Sequence, residues 1–155
     1  MRIAIGSDHA GYEAKERLKL WLAEGGHAVD DCGTHGTASV DYPDFASRVA
    51  RTVARGAADF GVLVCGTGIG MSIAANKVRG VRAAHCADPY TARMAREHND
   101  ANVVCLGARV SGSGMVEEIV ASFLAAPFRG GRHAARLDKI ARLETMTDGD
   151  PRCGC

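Results

Sequence analysis

The chain has 155 residues, 46% of them hydrophobic, which suits one domain with a sizeable core and leaves two full domains cramped. Lys plus Arg total 19 against 18 Asp plus Glu, a formal net charge of +1, so overall charge draws it to neither nucleic acid nor an anionic membrane, and any anion site must be local. The longest uncharged stretch, residues 60–76, is broken by four glycines and is shorter than the roughly 20 apolar residues of a membrane span.

In chain order, Arg2–Gly6 reads as a first strand, and its apolar run meets Asp8 and His9 too soon to be the core of a secretory signal. Tyr12–Glu24 reads as a helix with Leu18, Trp21 and Leu22 at core spacing, charges on the other face and Gly25-Gly26 to stop it. A strand at Ala28–Asp31 precedes a helix from about Pro43 to Arg55, where proline is tolerated because a first-turn N–H has no helical partner. Phe60–Cys65 is continuously apolar, as strands of a parallel sheet are when neither face meets water. A short helix follows Gly70, then a strand at Val81–Cys86, a helix at about Pro89–His98, a strand at Asn102–Leu106 and a helix at about Gly114–Ala125. A last helix runs from about Arg132 to Glu144. This βαβ rhythm predicts an α/β protein, a three-layer α/β/α sandwich around a five-stranded parallel, Rossmann-like sheet, with one domain over residues 1–144. Thr145–Cys155 lacks periodicity and reads as a mobile tail. The six cysteines, at 32, 65, 86, 105, 153 and 155, form no CxxC pair and no zinc-type spacing, so reduced thiols and a cytoplasmic location are expected.

Open parallel sheets bind ligands beyond the carboxyl ends of their strands. Three polar or glycine-rich segments follow predicted strands: Ser7-Asp8-His9, Gly66-Thr67-Gly68-Ile69-Gly70 and Gly107-Ala108-Arg109. A fourth, His98-Asn99-Asp100, precedes the fifth strand and lies off that pattern. The Gly66–Gly70 loop opens a helix, so its free N–H groups suit a phosphate, carboxylate or enolate oxygen; a tight turn without a ligand is the plain alternative. It departs from the dinucleotide fingerprint GxGxxG, because Met71 stands where the third glycine belongs, although Asp88 lies about where a ribose-binding acid would. Cys65, just before the loop, is placed to act as base or nucleophile, while Cys86 and Cys105 also end strands, where such thiols commonly just fill a core. Asp8 beside His9 suits proton handling, or Asp8 could cap the helix at Tyr12. His98 could equally favour a helix's negative end, with Asn99 as a left-handed cap. Arg132 and Arg136, spaced i, i+4, present two guanidinium groups on one helix face, either a phosphate grip or a solvated surface.

Ser7-Asp8-His9-Ala10-Gly11, Asp41-Tyr42-Pro43, the run from Cys65 to Lys77, His98-Asn99-Asp100-Ala101-Asn102 and Gly130-Gly131-Arg132-His133 together resemble the ribose-5-phosphate isomerase B family, which includes galactose- and allose-phosphate isomerases. The resemblance spans roughly residues 1–144 and implies aldose–ketose isomerisation of a sugar phosphate without metal or cofactor, as in the pentose phosphate pathway. It implies Cys65 as the base at C2, Thr67 as a proton relay, His98 and Asp8 in ring opening, and the N–H groups of Gly66, Gly68, Ile69 and Gly70 around the enediolate. Tyr42 and Asn99 would contact the sugar, and His9, Arg109, Arg132 and Arg136 the phosphate. Some family members carry a glutamate base at the position of Met71, which cannot accept a proton. The family also implies a homodimer or tetramer with composite sites, His98, Asn99 and Arg109 being candidates for the partner's contribution. Ribose 5-phosphate is the expected substrate; a hexose 6-phosphate isomerase, or a non-catalytic nucleotide- or phosphate-binding module on the same sheet, are the alternatives.

Overall fold

The computed structural model describes residues 1–146. Its elements are β1 (Arg2–Ser7), α1 (Tyr12–Glu24), β2 (Ala28–Asp31), α2 (Tyr42–Ala54), β3 (Phe60–Cys65), α3 (Ile69–Ala75), β4 (Ala83–His85), α4 (Pro89–Asn99), β5 (Val103–Gly107), α5 (Ser113–Ala125) and α6 (Arg132–Leu143). The expected tail lies outside the described residues except for Thr145 and Met146, whose N–H groups both donate to the Arg142 carbonyl at the end of α6.

The five strands form one parallel sheet in the order β2-β1-β3-β5-β4. Burial follows the pleat. On one face Ile3, Ile5, Val62, Val64, Val104 and Leu106 pack with α1, α4 and α5; on the other Ala4, Leu63, Cys65, Val103 and Cys105 pack with α2 and α3. Apolar residues therefore point to both faces of the central strands, and this is why their sequences lack polar alternation. The three-layer α/β/α sandwich is as the sequence predicts. Two boundaries differ by more than a residue: α3 begins at Ile69 rather than after Gly70, and β4 spans Ala83–His85 rather than Val81–Cys86. The Val81 N–H turns back to Val78 O and the Arg82 N–H donates to the Asn102 side chain at 2.8 Å, so side-chain and turn bonds replace the ladder there.

A further difference lies in α1. Its charged face is not all on the surface, because Lys15 is fully buried. Its Nζ donates to both oxygens of Asp31 at 2.8 Å and to Glu16 at 2.6 Å, and Lys19 joins the same two carboxylates. Burial alone would push the Asp31 carboxyl up, but hydrogen bonds from Lys15, Lys19 and the Gly33 N–H outweigh it and hold it down from 3.8 to about 2. The cluster fastens α1 to the end of β2. It also anchors Gly33, whose carbonyl accepts from the Ser7 N–H at 2.7 Å, immediately before Asp8.

Removing one partner of a buried ion pair is costly because the other charge is left behind. Lys15→Met should lower unfolding free energy by about 3 kcal/mol in urea titration at pH 7, the low end of the usual range since Lys19 still faces Asp31. Because the Asp31 pKa is depressed on folding, its contribution is complete above about pH 4 and fades as pH falls through the folded value. Asp31→Asn should therefore destabilise at pH 7 and converge with the parent chain near about pH 2.

Candidate functional site

β1 and β3 are neighbours in space although β2 intervenes in sequence, so their carboxyl ends form a topological switch point, where a crevice opens in sheets of this kind. The Ser7-to-Val64 register brings Asp8 and Cys65 out at this edge together. The Asp8 N–H donates to Val64 O at 3.3 Å and its Oδ1 accepts from the Gly11 N–H at 3.0 Å. Asp8 thus folds the β1–α1 turn and does not cap α1, whose N-cap is Gly11. His9 accepts the Val40 N–H on Nδ1 at 3.3 Å, which leaves Nε2 as the proton-bearing nitrogen of the neutral ring.

After β3 the chain turns sharply into α3. Gly68 is left-handed with φ 80°, and its N–H donates to Cys65 Sγ at 3.0 Å. The first α3 amide with a helical partner is that of Ser72, on Gly68 O, so the amides of Ile69, Gly70 and Met71 have none within the helix. Glycine is required for packing as well as for backbone angle. A methyl on Gly68 would come within 2.6 Å of the His85 ring and 2.9 Å of the Leu106 backbone, one on Gly70 within 2.8 Å of the Tyr42 ring, and one on Gly107 within 2.8 Å of Thr67 O. Tyr42, 40% exposed at the start of α2, is thus laid against Gly70. Arg109 lies across Gly66, its Cδ and Nη1 3.5 Å from where a methyl would be, and its N–H donates to Gly66 O at 3.0 Å. Thr67 is exposed beside them.

Of the three cysteines expected to end strands only Cys65 does, since Cys105 is the middle residue of β5 and Cys86 lies just beyond β4. Burial pushes Cys86 up to about 11 and Cys105 well above an ordinary thiol. Cys65 is also buried, but it stands at the carboxyl end of β3 with the Gly68 N–H directed at its sulfur. Among the described residues no group of three or more His, Cys, Asp or Glu side chains could hold a metal ion. Asp88, the acid of the dinucleotide reading, is instead the N-cap of α4, accepting the Thr91 N–H at 2.8 Å and its hydroxyl at 3.0 Å.

The remaining candidates gather elsewhere. α4 runs back across the sheet, so His98 and Asn99 emerge at the amino edge, where Asn102 O accepts the Gly61 N–H near the start of β3. The five residue steps from Phe60 to Cys65 span about 16 Å, and the two edges are separated by at least that. α6 begins beside His98. The Arg129 N–H donates to Glu97 O, and the His133 ring stacks on His98 with centroids 4.3 Å apart and planes 6° from parallel. Arg132 and Arg136 are exposed on this helix, one turn apart. The left-handed cap of α4 is Asp100, not Asn99, which is its last helical residue. Two participants escaped the sequence reading: His85, although it ends a strand, and the role of His133. Burial, reinforced by the charges of His98, Arg132, Arg136 and Arg129, pushes the His133 pKa down and favours the neutral ring.

Fold and site thus describe a parallel α/β protein with a thiol, a glycine turn and a ring of polar side chains at the carboxyl edge, and histidines and arginines at the other. The ribose/galactose isomerase family model matches residues 3–140, and the chain belongs to that family. It is 46% identical to ribose-5-phosphate isomerase B of Escherichia coli K12 over 143 residues, 92% of this chain and 96% of that protein. Among solved structures it resembles Clostridium thermocellum ribose-5-phosphate isomerase B (TM-score 0.93, 54% identity, 94% of this chain and 98% of that one). It also resembles the Mycoplasma genitalium enzyme with bound ribulose-5-phosphate (TM-score 0.91, 44% identity, 94% and 97%).

The turn's two tight glycines should respond differently to alanine. Gly68→Ala meets backbone and adopts a disfavoured φ, so it should lower the melting temperature by several degrees, about what a loss of 1–2 kcal/mol produces. Gly70→Ala meets the exposed Tyr42 ring first, a side chain that can give way, so it should leave the melting temperature within about 2 °C and shift the Tyr42 fluorescence or NMR environment instead.

Proposed function

We propose that this chain is a cofactor-independent aldose–ketose isomerase that interconverts ribose 5-phosphate and ribulose 5-phosphate through an enediolate. The observation that carries the reading is Cys65 at the carboxyl end of β3, its sulfur met by the Gly68 N–H at the mouth of the glycine turn. Identity of 54% over nearly the whole of a ribose-5-phosphate isomerase B, and likeness to a relative bound to ribulose-5-phosphate, support the pentose substrate. Cys65, as the base, removes the C2 proton and returns it to C1, while Thr67 relays the hydroxyl proton from O2 to O1. The free amides of the turn receive the enediolate oxygens without having to reorganise. Tyr42 and Asn99 bind the sugar. His98 gives a proton to the ring oxygen as Asp8 takes one from the anomeric hydroxyl, which opens the ring.

Residues 1–144 form the isomerase domain in this reading, and the working unit is a homo-oligomer, dimer or tetramer. His98, Asn99, Arg132 and Arg136 lie at the opposite sheet edge from Cys65 and cannot reach the base of their own chain, so each site pairs the carboxyl edge of one copy with the amino edge of another. The phosphate is held by His9, Arg109, Arg132 and Arg136. Exposed Ile69 and Ile73 on α3 give the contact between copies an apolar component. A cytoplasmic location fits the free thiols of Cys32, Cys65, Cys86 and Cys105, and no described helix is long and apolar enough to cross a membrane.

The direct test is conversion of a panel of pentose and hexose phosphates by EDTA-treated protein. Ribose 5-phosphate should be the best substrate and EDTA should not lower the rate; preference for a hexose 6-phosphate, or no conversion of any sugar, would contradict the assignment. In deuterium oxide, Cys65→Ala should abolish exchange of the C2 proton while phosphate-ligand binding persists. Arg132→Ala and Arg136→Ala should each lower kcat/KM by about 10- to 150-fold, the equivalent of one charge-assisted contact of roughly 1.5–3 kcal/mol, and should spare a non-phosphorylated sugar.

A further inference from the structure

Asp100 is the only non-glycine residue with positive φ among the described residues, at φ 44° and ψ 42°. Helices commonly end in this left-handed conformation, and glycine takes it with least strain. An aspartate there is explained by its carboxylate. Oδ2 accepts from Arg82 Nη2 at 2.9 Å and Oδ1 from Arg96 Nη1 at 2.7 Å, one arginine per oxygen.

Both arginines are themselves fixed. Arg96 is buried, its guanidinium 4.7 Å from the centroid of the Phe60 ring and 5.8 Å from that of Phe123, and Nη1 also donates to Ala101 O at 2.8 Å. Arg82 donates through Nε to the carbonyls of Asn99 and Asp100, both at 3.0 Å. Its backbone is clasped by Asn102, whose Oδ1 accepts the Arg82 N–H while the Asn102 N–H donates to Arg82 O. The turn after α4 is thereby tied to the start of β3, to α5 and to the approach to β4. None of these groups is needed to end a helix, and the two residues just before Asp100 are Asn99 and His98.

We infer that Asp100, clamped between Arg82 and Arg96, is a positioning residue that sets the place of His98 for ring opening, a role that rests on the ring-opening assignment made above. The clamp fixes the backbone that carries the imidazole, and the His133 stack fixes its plane. A proton donor displaced by a fraction of an ångström loses much of its rate, whereas the proton transfers at Cys65 and Thr67 use no acid or base of the α4 turn, which gives that step only the Asn99 sugar contact.

Two variants separate positioning from folding. Asp100→Gly removes the carboxylate and relieves the backbone; Asp100→Asn tolerates the left-handed conformation and keeps one neutral acceptor. Each is assayed with ribose 5-phosphate, which must open, and with a four-carbon aldose phosphate, which lacks the hydroxyl needed to close a five-membered ring. In parallel, proton NMR follows the His98 ring resonances, assigned by their loss in His98→Asn and displaced by the ring current of His133. For Asp100→Gly, kcat with ribose 5-phosphate should fall about tenfold or more while the four-carbon substrate stays within about twofold, and the His98 resonances should move toward exposed-histidine positions. Asp100→Asn should show smaller changes of the same kind. Equal losses on both substrates, or His98 resonances unchanged in Asp100→Gly, would overturn the inference. If the parent chain fails to convert ribose 5-phosphate, the functional assignment falls, and the resonances alone decide whether Asp100 holds His98.

Discussion

In a parallel sheet every strand points the same way, so all the carboxyl ends share one edge and the helices must carry the chain back to the other. That constraint governs the chemistry here. Residues that follow strands, Asp8 and His9 after β1, the Cys65–Gly70 turn after β3 and Arg109 after β5, converge at the carboxyl edge. Residues that end the return helix α4, or follow the connection into α6, converge at the amino edge: His98, Asn99, Arg132, His133 and Arg136. The proposed base, Cys65, and the proposed ring-opening acid, His98, lie on opposite edges and cannot meet inside a single copy of this fold. Association of copies is thus a chemical requirement of the proposed reaction.

Each edge is built by a different kind of force. At the carboxyl edge close backbone approach dominates, with glycines at 66, 68, 70 and 107 that leave room for Arg109, His85, Tyr42 and Thr67 and left-handed Gly68 aiming its amide at sulfur. At the amino edge charge and ring stacking dominate, with Arg96 laid over Phe60, Asp100 shared by two arginines and His98 stacked on His133. The Lys15–Asp31 cluster serves the first edge from behind, since it holds the Gly33 backbone that pairs with Ser7. Low-dielectric burial makes such pairs stringent, as a lone partner would be left unsatisfied.

The sheet and its helices were legible because buried parallel strands are continuously apolar and glycine and proline punctuate the helix ends, so most element limits agree within a residue. The turn at Cys65–Gly70 was legible because glycines between a strand and a helix have few other uses. What escaped depends on partners distant in sequence. Lys15 reads as one more charge on the polar face of α1 until the β1–β2 register places Asp31 over it. Asn99 and Asp100 are both good left-handed residues, and only the arginines on either side select the second. β4 is short because a side chain, that of Asn102, takes the amide that a ladder partner would have used. The His98–His133 stack joins helices separated by the whole of β5 and α5, and no local pattern announces it.

Composite sites can be tested by mixing two inactive variants. Cys65→Ala leaves the amino edge intact and His98→Asn leaves the carboxyl edge intact, so in a mixed dimer one site inherits both lesions and the other inherits neither. Equal amounts refolded together should regain about a quarter of the parent rate on ribose 5-phosphate, because half the dimers are mixed and each has one sound site. A mixture no more active than the sum of its separate components, although mass analysis shows that mixed dimers have formed, would contradict a site shared between copies.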